Sequence, residues 1–410
     1  MRRILELTQF ESVTSMILYI PLTRDRTKPA VPFGGIYRII DVTLSNCVNS
    51  RIRRIHVLIQ YKCNSLIRHL RMGWNIFDAE LGEYIDIVPA QMRTGETWYM
   101  GTADSIYQNL YFIETEKPDY VLILAGDHIY KMNYAEMVDY HIAKGADCTV
   151  SVVEMDKKDS QYFGVVEVDR NERILGFEEK PKIPKTIPGD PSHIYASMGI
   201  YVFSTNALKE VLNADAQNAE SKHDFGKNIL PTMVAKKSKV FAYNFKDENK
   251  KEAQYWRDIG TLDAYYDANM DLVSVTPVFN LYDKDWPIRT YMEKCPPAKF
   301  VFAGGDDGMR VGVALDSMVS NGCIISGGRV ECSILSPNVR INSYATVLDS
   351  IIMEGVDIGR NAKIRRAIID KDVKIPQGTE IGYDLKEDKK RFTVTESGLV
   401  VVAKGTVIER

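Results

Sequence analysis

The chain has 410 residues, 45% of them hydrophobic and 26% charged, with a formal net charge of -3 and a pI near 6.1. That length exceeds one ordinary compact core and points to two domains, while the composition is that of a globular chain and not of a disordered one. The mild acidity excludes a global basic field for nucleic acid or anionic lipid, so any anionic ligand must be met by locally placed Lys and Arg.

Residues 1–9 carry Arg2, Arg3 and Glu6 and no long apolar run, so no signal peptide is read there. Elsewhere no stretch approaches the ~20 apolar residues of a membrane span. The six cysteines, Cys47, Cys63, Cys148, Cys295, Cys323 and Cys332, form no CxxC pair. That spacing argues against a disulfide framework or a zinc site and fits a reduced cytoplasm.

From about residue 14 to 274, short apolar runs alternate with helical patterns, the signature of a largely parallel α/β sheet. Residues 15–20, 54–59, 120–124 and 148–153 read as buried strands. Between the last two, Tyr134, Met137, Val138, His141 and Ile142 follow helical spacing, with Asn133 able to cap the start and Gly145 the end. This is a βαβ unit, for which a right-handed crossover is expected.

Five motifs on this first part could carry chemistry. Lys28-Pro-Ala-Val-Pro-Phe-Gly-Gly35, with Arg24, Arg26 and Arg38 nearby, is a basic patch in an acidic chain. Such patches usually lie in solvent, but paired glycines and prolines suggest a loop shaped around an anion. Trp98-Tyr99-Met-Gly-Thr-Ala-Asp-Ser reads as a loop entering a helix over residues 104–113, with two aromatics available to stack on a base or sugar. Leu122-Ile-Leu-Ala-Gly-Asp127 is an apolar strand that delivers an acid to the carboxyl edge of the sheet, where ligands bind in open α/β folds. Phe177-Glu-Glu179-Lys180-Pro181 sets an acid beside a base. The proline is expected to hold Lys180 extended, so that the two side chains point to opposite sides. Trp256-Arg-Asp258-Ile-Gly-Thr261 offers a second acid just before a helix over residues 262–272. Two such carboxylates suit Mg²⁺, which takes one or two of them and completes its shell with phosphate and water.

After Pro277 the character changes through Asp285-Trp-Pro and Cys295-Pro-Pro, and the linker is placed at 277–310. Beyond it apolar residues recur every six positions: Val319 and Ile325; Ile341 and Val347; Ile352, Ile358 and Ile364; Ile369, Ile375 and Ile381. That is the hexapeptide period of a parallel β-helix, whose corners Gly322, Gly328, Gly355 and Gly359 would permit. A β-sandwich would show period two instead.

The segments KPAVPFGGIYRIID, WYMGTAD, LAGDHIYKM, FEEKP, YASMGIYVF and YWRDIGTLDAYYDANMDL, standing in this order, closely resemble the bacterial glucose-1-phosphate adenylyltransferases. The resemblance covers nearly the whole chain. It implies a Rossmann-like α/β nucleotidyltransferase domain (1–276) followed, after the linker, by a C-terminal left-handed parallel β-helix (311–410) serving regulation and oligomer contacts. It implies transfer of AMP from ATP to glucose 1-phosphate for glycogen synthesis, with Mg²⁺, small-metabolite allosteric effectors and a homotetramer. By resemblance, Lys180 meets the phosphate of glucose 1-phosphate, Glu179, Gly164 and Ser197 position the sugar, and Tyr99 lies alongside. Asp127 and Asp258 would hold the metal, and Lys28 would belong to the phosphate-binding surface. Arg26, Arg38 and Arg366 match positions that face an inhibitory nucleotide, and Gln60 and Trp98 lie in loops linking regulation with closure. Asp25 stands where some relatives carry an activator-binding lysine, so no particular activator carries over.

One departure stands out. The family's glycine-rich GGxGxRL loop, which cradles the triphosphate, has no counterpart, because Met16-Ile-Leu runs directly into Tyr19-Ile-Pro-Leu-Thr23. Two readings follow: an active enzyme from whose sequence a stretch is missing, or a catalytically impaired regulatory subunit. An acyltransferase built on the β-helix is the weaker rival, because all six histidines precede it and the usual imidazole base is wanting there.

Overall fold

The computed structural model describes residues 4–9, 20–91, 93, 97–249, 254–302 and 310–409. They form two compact units: Met1–Val13, Thr43–Cys63 and Asn75–Trp256 make the first, and Thr14–Val42, Asn64–Trp74 and Arg257–Arg410 the second.

The first unit is a mixed sheet with helices. Its strands are β1 (Ile4–Gln9), β2 (Arg54–Ile59), β3 (Tyr84–Pro89), β4 (Tyr120–Ala125), β5 (Cys148–Asp156), β6 (Gly164–Val168), β7 (Ile174–Glu179), β8 (His193–Ser204) and β9 (Val240–Asn244). The order is β7-β6-β8-β4-β1-β2-β3, with β5 on the other edge of β8 and β9 beside β5. From β4 to β3 all pairs are parallel, whereas β8 runs antiparallel to β4, β5 and β6. The sheet is therefore less uniformly parallel than the alternating pattern predicts. The twelve-residue β8 causes the difference, because it inserts between β4 and β5 and separates the two strands of the expected βαβ unit.

The expected strands at 54–59, 120–124 and 148–153 are present. The one read at 15–20 lies outside the described residues except for Ile20, which is in a turn, and the sheet instead takes Ile4–Gln9 between β2 and β4. The helix after β4, Tyr134–Lys144, starts as expected on the Asn133 carboxamide oxygen, which accepts from Ala135 N, and ends on Gly145 at φ 56°. Leu5, Val121, Ile123, Val150, Val152 and Phe203 lie in the core of this unit.

The helix expected over 104–113 is two: α1 (Thr102–Tyr107) and α2 (Leu110–Glu116), divided at Asn109 with φ -111° and ψ 15°. The Asn109 amide donates to Ser105 O at 2.8 Å, a local bond that competes with the helical backbone pattern.

The second unit contains a parallel β-helix of three sheets. Ile341 pairs with Ile358 and Ile358 with Ile375, a rung of seventeen residues rather than three full hexapeptides. The inward Ile325, Ile341, Val347, Ile358, Ile364 and Ile381 are fully buried, as the six-residue period predicts. The corners differ from expectation. Gly322 and Gly355 take positive φ, but so do Asp316, Asn338, Asp349, Asn361 and Asp372. Asn and Asp tolerate the left-handed region, so glycine is not needed at each corner. Gly328 and Gly359 serve close packing instead: a Cβ would lie 2.6 Å from Ile341 Cγ2 at the first and 2.7 Å from Gln377 N at the second.

Candidate functional site

In the first unit β4 runs apolar to Ala125, and the chain turns through Gly126 to place Asp127, 2% exposed, at the carboxyl end of the strand. Its Oδ1 lies 3.5 Å from His128 Nε2, and the Trp256 ring meets His128 edge-on at 5.1 Å. Sequence reading missed His128, because a histidine directly after an acid carries no distinguishing spacing.

Gly164 opens β6 opposite Glu179, the last residue of β7. A Cβ at Gly164 would lie 2.5 Å from the Phe177 ring and 3.0 Å from Glu179 Oε2, so only hydrogen fits. Partial burial raises the Glu179 carboxyl above its usual range, with Asp224 adding to the rise and Lys180 and Lys227 opposing it. Ser197 sits where the register of β8 shifts; its Oγ accepts from Gly199 N at 3.4 Å. Tyr201, across the same irregularity, is buried and stacks on Phe225 at 5.3 Å. Burial pushes its phenol up, and a hydrogen bond with Ser197 opposes the shift. Gly164, Glu179 and Tyr201 thus face one neighbourhood with Asp224 and Phe225. Tyr201 and Asp224 escaped sequence reading, since each is a common core or turn residue when seen alone.

Lys180 departs from expectation. Its φ is 53°, in the left-handed region, not extended, and its N donates to Phe163 O at 3.0 Å. The strand ends at Glu179 and the chain turns back toward Phe163, which overrides the bias imposed by Pro181. The alternation argument for opposite-facing side chains therefore does not apply to this pair.

Trp98 and Tyr99 lie on a loop leading into α1. Trp98 is half exposed and stacks on Tyr61, with centroids 5.3 Å apart and planes 28° apart. Gln60 grips the main chain of Tyr99: its Oε1 accepts from Tyr99 N at 2.6 Å, and its Nε2 donates to Tyr99 O at 3.5 Å. Burial raises the Tyr99 phenol above its ordinary value, opposed by a hydrogen bond from Asn109.

In the second unit Lys28 is 2% exposed in the 3-10 turn Lys28–Ala30, and its Nζ lies 3.9 Å from Asp258 Oδ1. Asp127 and Asp258 belong to different units. The basic region around Lys28 is only partly solvated: Arg26 and Lys28 are buried and Arg38 is half-buried, whereas Arg24 stays at the surface. Arg24 pairs with Asp25 at 2.8 Å, Arg26 forms a buried pair with Asp370, and Arg38 donates to Ser65 O and Oγ at 3.0 and 2.8 Å. The Gly34 backbone N donates to Asn269 Oδ1 at 2.9 Å, which ties the glycine turn to the helix Leu262–Asp271.

Arg26 and Arg38 share their surroundings with Lys371. Burial lowers both the Arg38 and Lys371 pKa values and Arg26 lowers each further; Asp41 and then Glu354 oppose the shift at Arg38, and Glu354 opposes it at Lys371. Lys371 pairs with Glu354, seventeen residues earlier and therefore one rung away, a relation invisible until the rung length is known. Arg366 lies over the Tyr266 ring at 5.2 Å and donates to Ser397 Oγ at 3.3 Å.

The place where the GGxGxRL loop would stand, directly before Tyr19, lies outside the described residues. A family model described as nucleotidyl transferase matches residues 18–275, and one described as GlmU-like C-terminal hexapeptide matches 296–402, the region of the left-handed β-helix. A protein named glucose-1-phosphate adenylyltransferase from Koribacter versatilis is 59% identical over 386 residues, covering 94% of this chain and 92% of that protein. Proteins of the same name from Rhodopirellula baltica and Methylococcus capsulatus are 56% and 52% identical, each over 95% of this chain and over 87% and 91% of their own lengths. Among the described residues no helix is long and apolar enough to cross a membrane.

Proposed function

Because the chain belongs to the glucose-1-phosphate adenylyltransferase family of nucleotidyl transferases, we propose that it transfers AMP from ATP to glucose 1-phosphate, giving ADP-glucose and pyrophosphate for glycogen synthesis. The observation that carries the reading is the wall in the first unit where Gly164 admits the Glu179 carboxylate and Tyr201 and Asp224 join it. A sugar presents hydroxyls, and a carboxylate with neighbouring hydroxyl groups is suited to accept and donate to them.

On this reading Glu179, Gly164 and Ser197 position the glucose, and Lys180 neutralises its phosphate. A phosphate oxygen of glucose 1-phosphate attacks the α-phosphorus of ATP in line. The bond from that phosphorus to the bridging oxygen breaks, and pyrophosphate leaves with the electron pair. No covalent enzyme intermediate is needed, so the protein contributes positioning and charge stabilisation. Lys28 serves the triphosphate.

Asp127 and Asp258 offer hard carboxylate oxygens, the donor type a divalent cation of the Mg²⁺ class prefers, and Asp127 is buried as a ligand should be. Bound there, Mg²⁺ would offset the charge building on the phosphate oxygens. Residues 1–276 then form the catalytic domain, 277–310 a linker, and 311–410 a domain for regulation and for contacts within a homotetramer. Arg26, Arg38 and Arg366, with Gln60 and Trp98, are assigned to the response to small-metabolite effectors. The six free cysteines fit a reducing cytoplasm.

The test is pyrophosphate release by the full chain with glucose 1-phosphate and a panel of nucleoside triphosphates. ATP is expected to work best, and release with none of them would overturn the reading.

A further inference from the structure

We infer that Asn109 is a positioning residue that orients the Tyr99 hydroxyl as a hydrogen-bond donor toward substrate. The inference rests on the proposed function together with the family resemblance, which sets Tyr99 alongside the substrate.

Asn109 is 3% exposed and sits at the break between α1 and α2. Its Nδ2 donates to Ser105 O at 2.8 Å and to Tyr99 Oη at 2.9 Å. The Ser105 carbonyl can only accept, so the atom facing it must be the NH₂ end of the amide. The second hydrogen of that NH₂ then points at Tyr99, and the phenol oxygen becomes an acceptor in this bond. The phenolic proton is left over. Among the described residues no carbonyl or carboxylate takes it, so it is available to an oxygen of a bound ligand.

The rest of the loop is held from other sides. Gln60 bonds both main-chain groups of Tyr99, and Asp104 Oδ2 accepts from Met100 N at 2.8 Å and from Gln108 Nε2 at 2.8 Å. Gly101 lies against the next segment so closely that a Cβ would be 2.3 Å from His223 O. With backbone and loop base fixed, Asn109 controls what is left, the direction of the hydroxyl. The same bonds explain why the helix breaks there: the amide that holds Tyr99 also ties back to the carbonyl four residues earlier.

The experiment is a double-mutant cycle on the full chain, reading the Kd for ADP-glucose by titration calorimetry and KM and kcat in the forward reaction. Tyr99→Phe and Asn109→Ser are each expected to weaken binding about three- to tenfold, the range for one neutral hydrogen bond, with kcat changed less than KM. Serine at 109 can still bond the Ser105 carbonyl but cannot reach Tyr99, so local structure and the melting temperature should stay close to wild type. Asn109→Ala, which loses both bonds, serves as the second variant. The combined Tyr99→Phe, Asn109→Ser protein should be no worse than Tyr99→Phe alone. Additive losses would overturn the positioning role while leaving Tyr99 in place. A Tyr99→Phe protein that binds like wild type would overturn the contact with substrate, and no binding of ADP-glucose by the wild type would overturn both.

Discussion

Gly164 is a position where one hydrogen atom sets the geometry. Alanine there would push against the Phe177 ring and displace the Glu179 carboxylate. Misplacement of a positioning group by about 1 Å can cost up to about a hundredfold, so Gly164→Ala should raise the KM for glucose 1-phosphate roughly tenfold or more, measured by steady-state kinetics. Lys180→Ala should chiefly raise that KM. Asp127→Ala should chiefly lower kcat, by about two orders of magnitude or about 3 kcal/mol, as for loss of a donor to developing charge. The reverse pattern would reassign both residues. His141 tests a structural role. It is fully buried, its Nδ1 and Nε2 meet Thr149 Oγ1 at 2.8 Å and Ser204 Oγ at 3.1 Å, and burial pushes its imidazole down to about 4. The unfolded chain takes up a proton below about pH 6.5 that the folded chain refuses until about pH 4. Stability is therefore full above that window and falls as the pH drops through it, by at most about 3 kcal/mol. Denaturation midpoints across the window should fall less steeply for His141→Gln than for wild type.

Among the elements, the β-helix was the most legible in sequence, because each inward residue repeats an identical environment and the period survives in the chain. Its rung length was not, since the coils fall short of three full hexapeptides and only pairing such as Ile325 with Ile341 and Ile358 with Ile375 reveals steps of sixteen and seventeen residues. Ile358 is fully buried in a stack where neighbours above and below are fixed. Ile358→Ala should cost about 2 to 5 kcal/mol, read by chemical denaturation of the transition reporting this unit. The helix read over 104–113 failed for the opposite reason. Its spacing is helical on both sides of Asn109, and the break arises from a side chain reaching Tyr99, ten residues earlier. Lys180 failed similarly: local proline chemistry favoured extension, and a bond to Phe163 in the preceding strand region decided otherwise.

For the whole molecule, the resemblance predicts four copies of a 46.5 kDa chain, and light scattering on the purified protein should return about four times that mass; a monomer would remove the homotetramer from the proposed function. The sequence by itself determined the family, through motifs in fixed order, and the two kinds of architecture, through periods of helix, strand and rung. These are properties of neighbouring residues, which a linear string preserves. Only the tertiary structure decided that β8 enters the sheet antiparallel, that Tyr201 and Asp224 join Glu179, and that Arg26 and Arg38 surround themselves with Lys371 and internal carboxylates. It also decided that Asn109 holds Tyr99. Each of these depends on contacts between residues distant in the chain, and ordinary residue types at unremarkable spacings carry no mark of such contacts until packing brings them together.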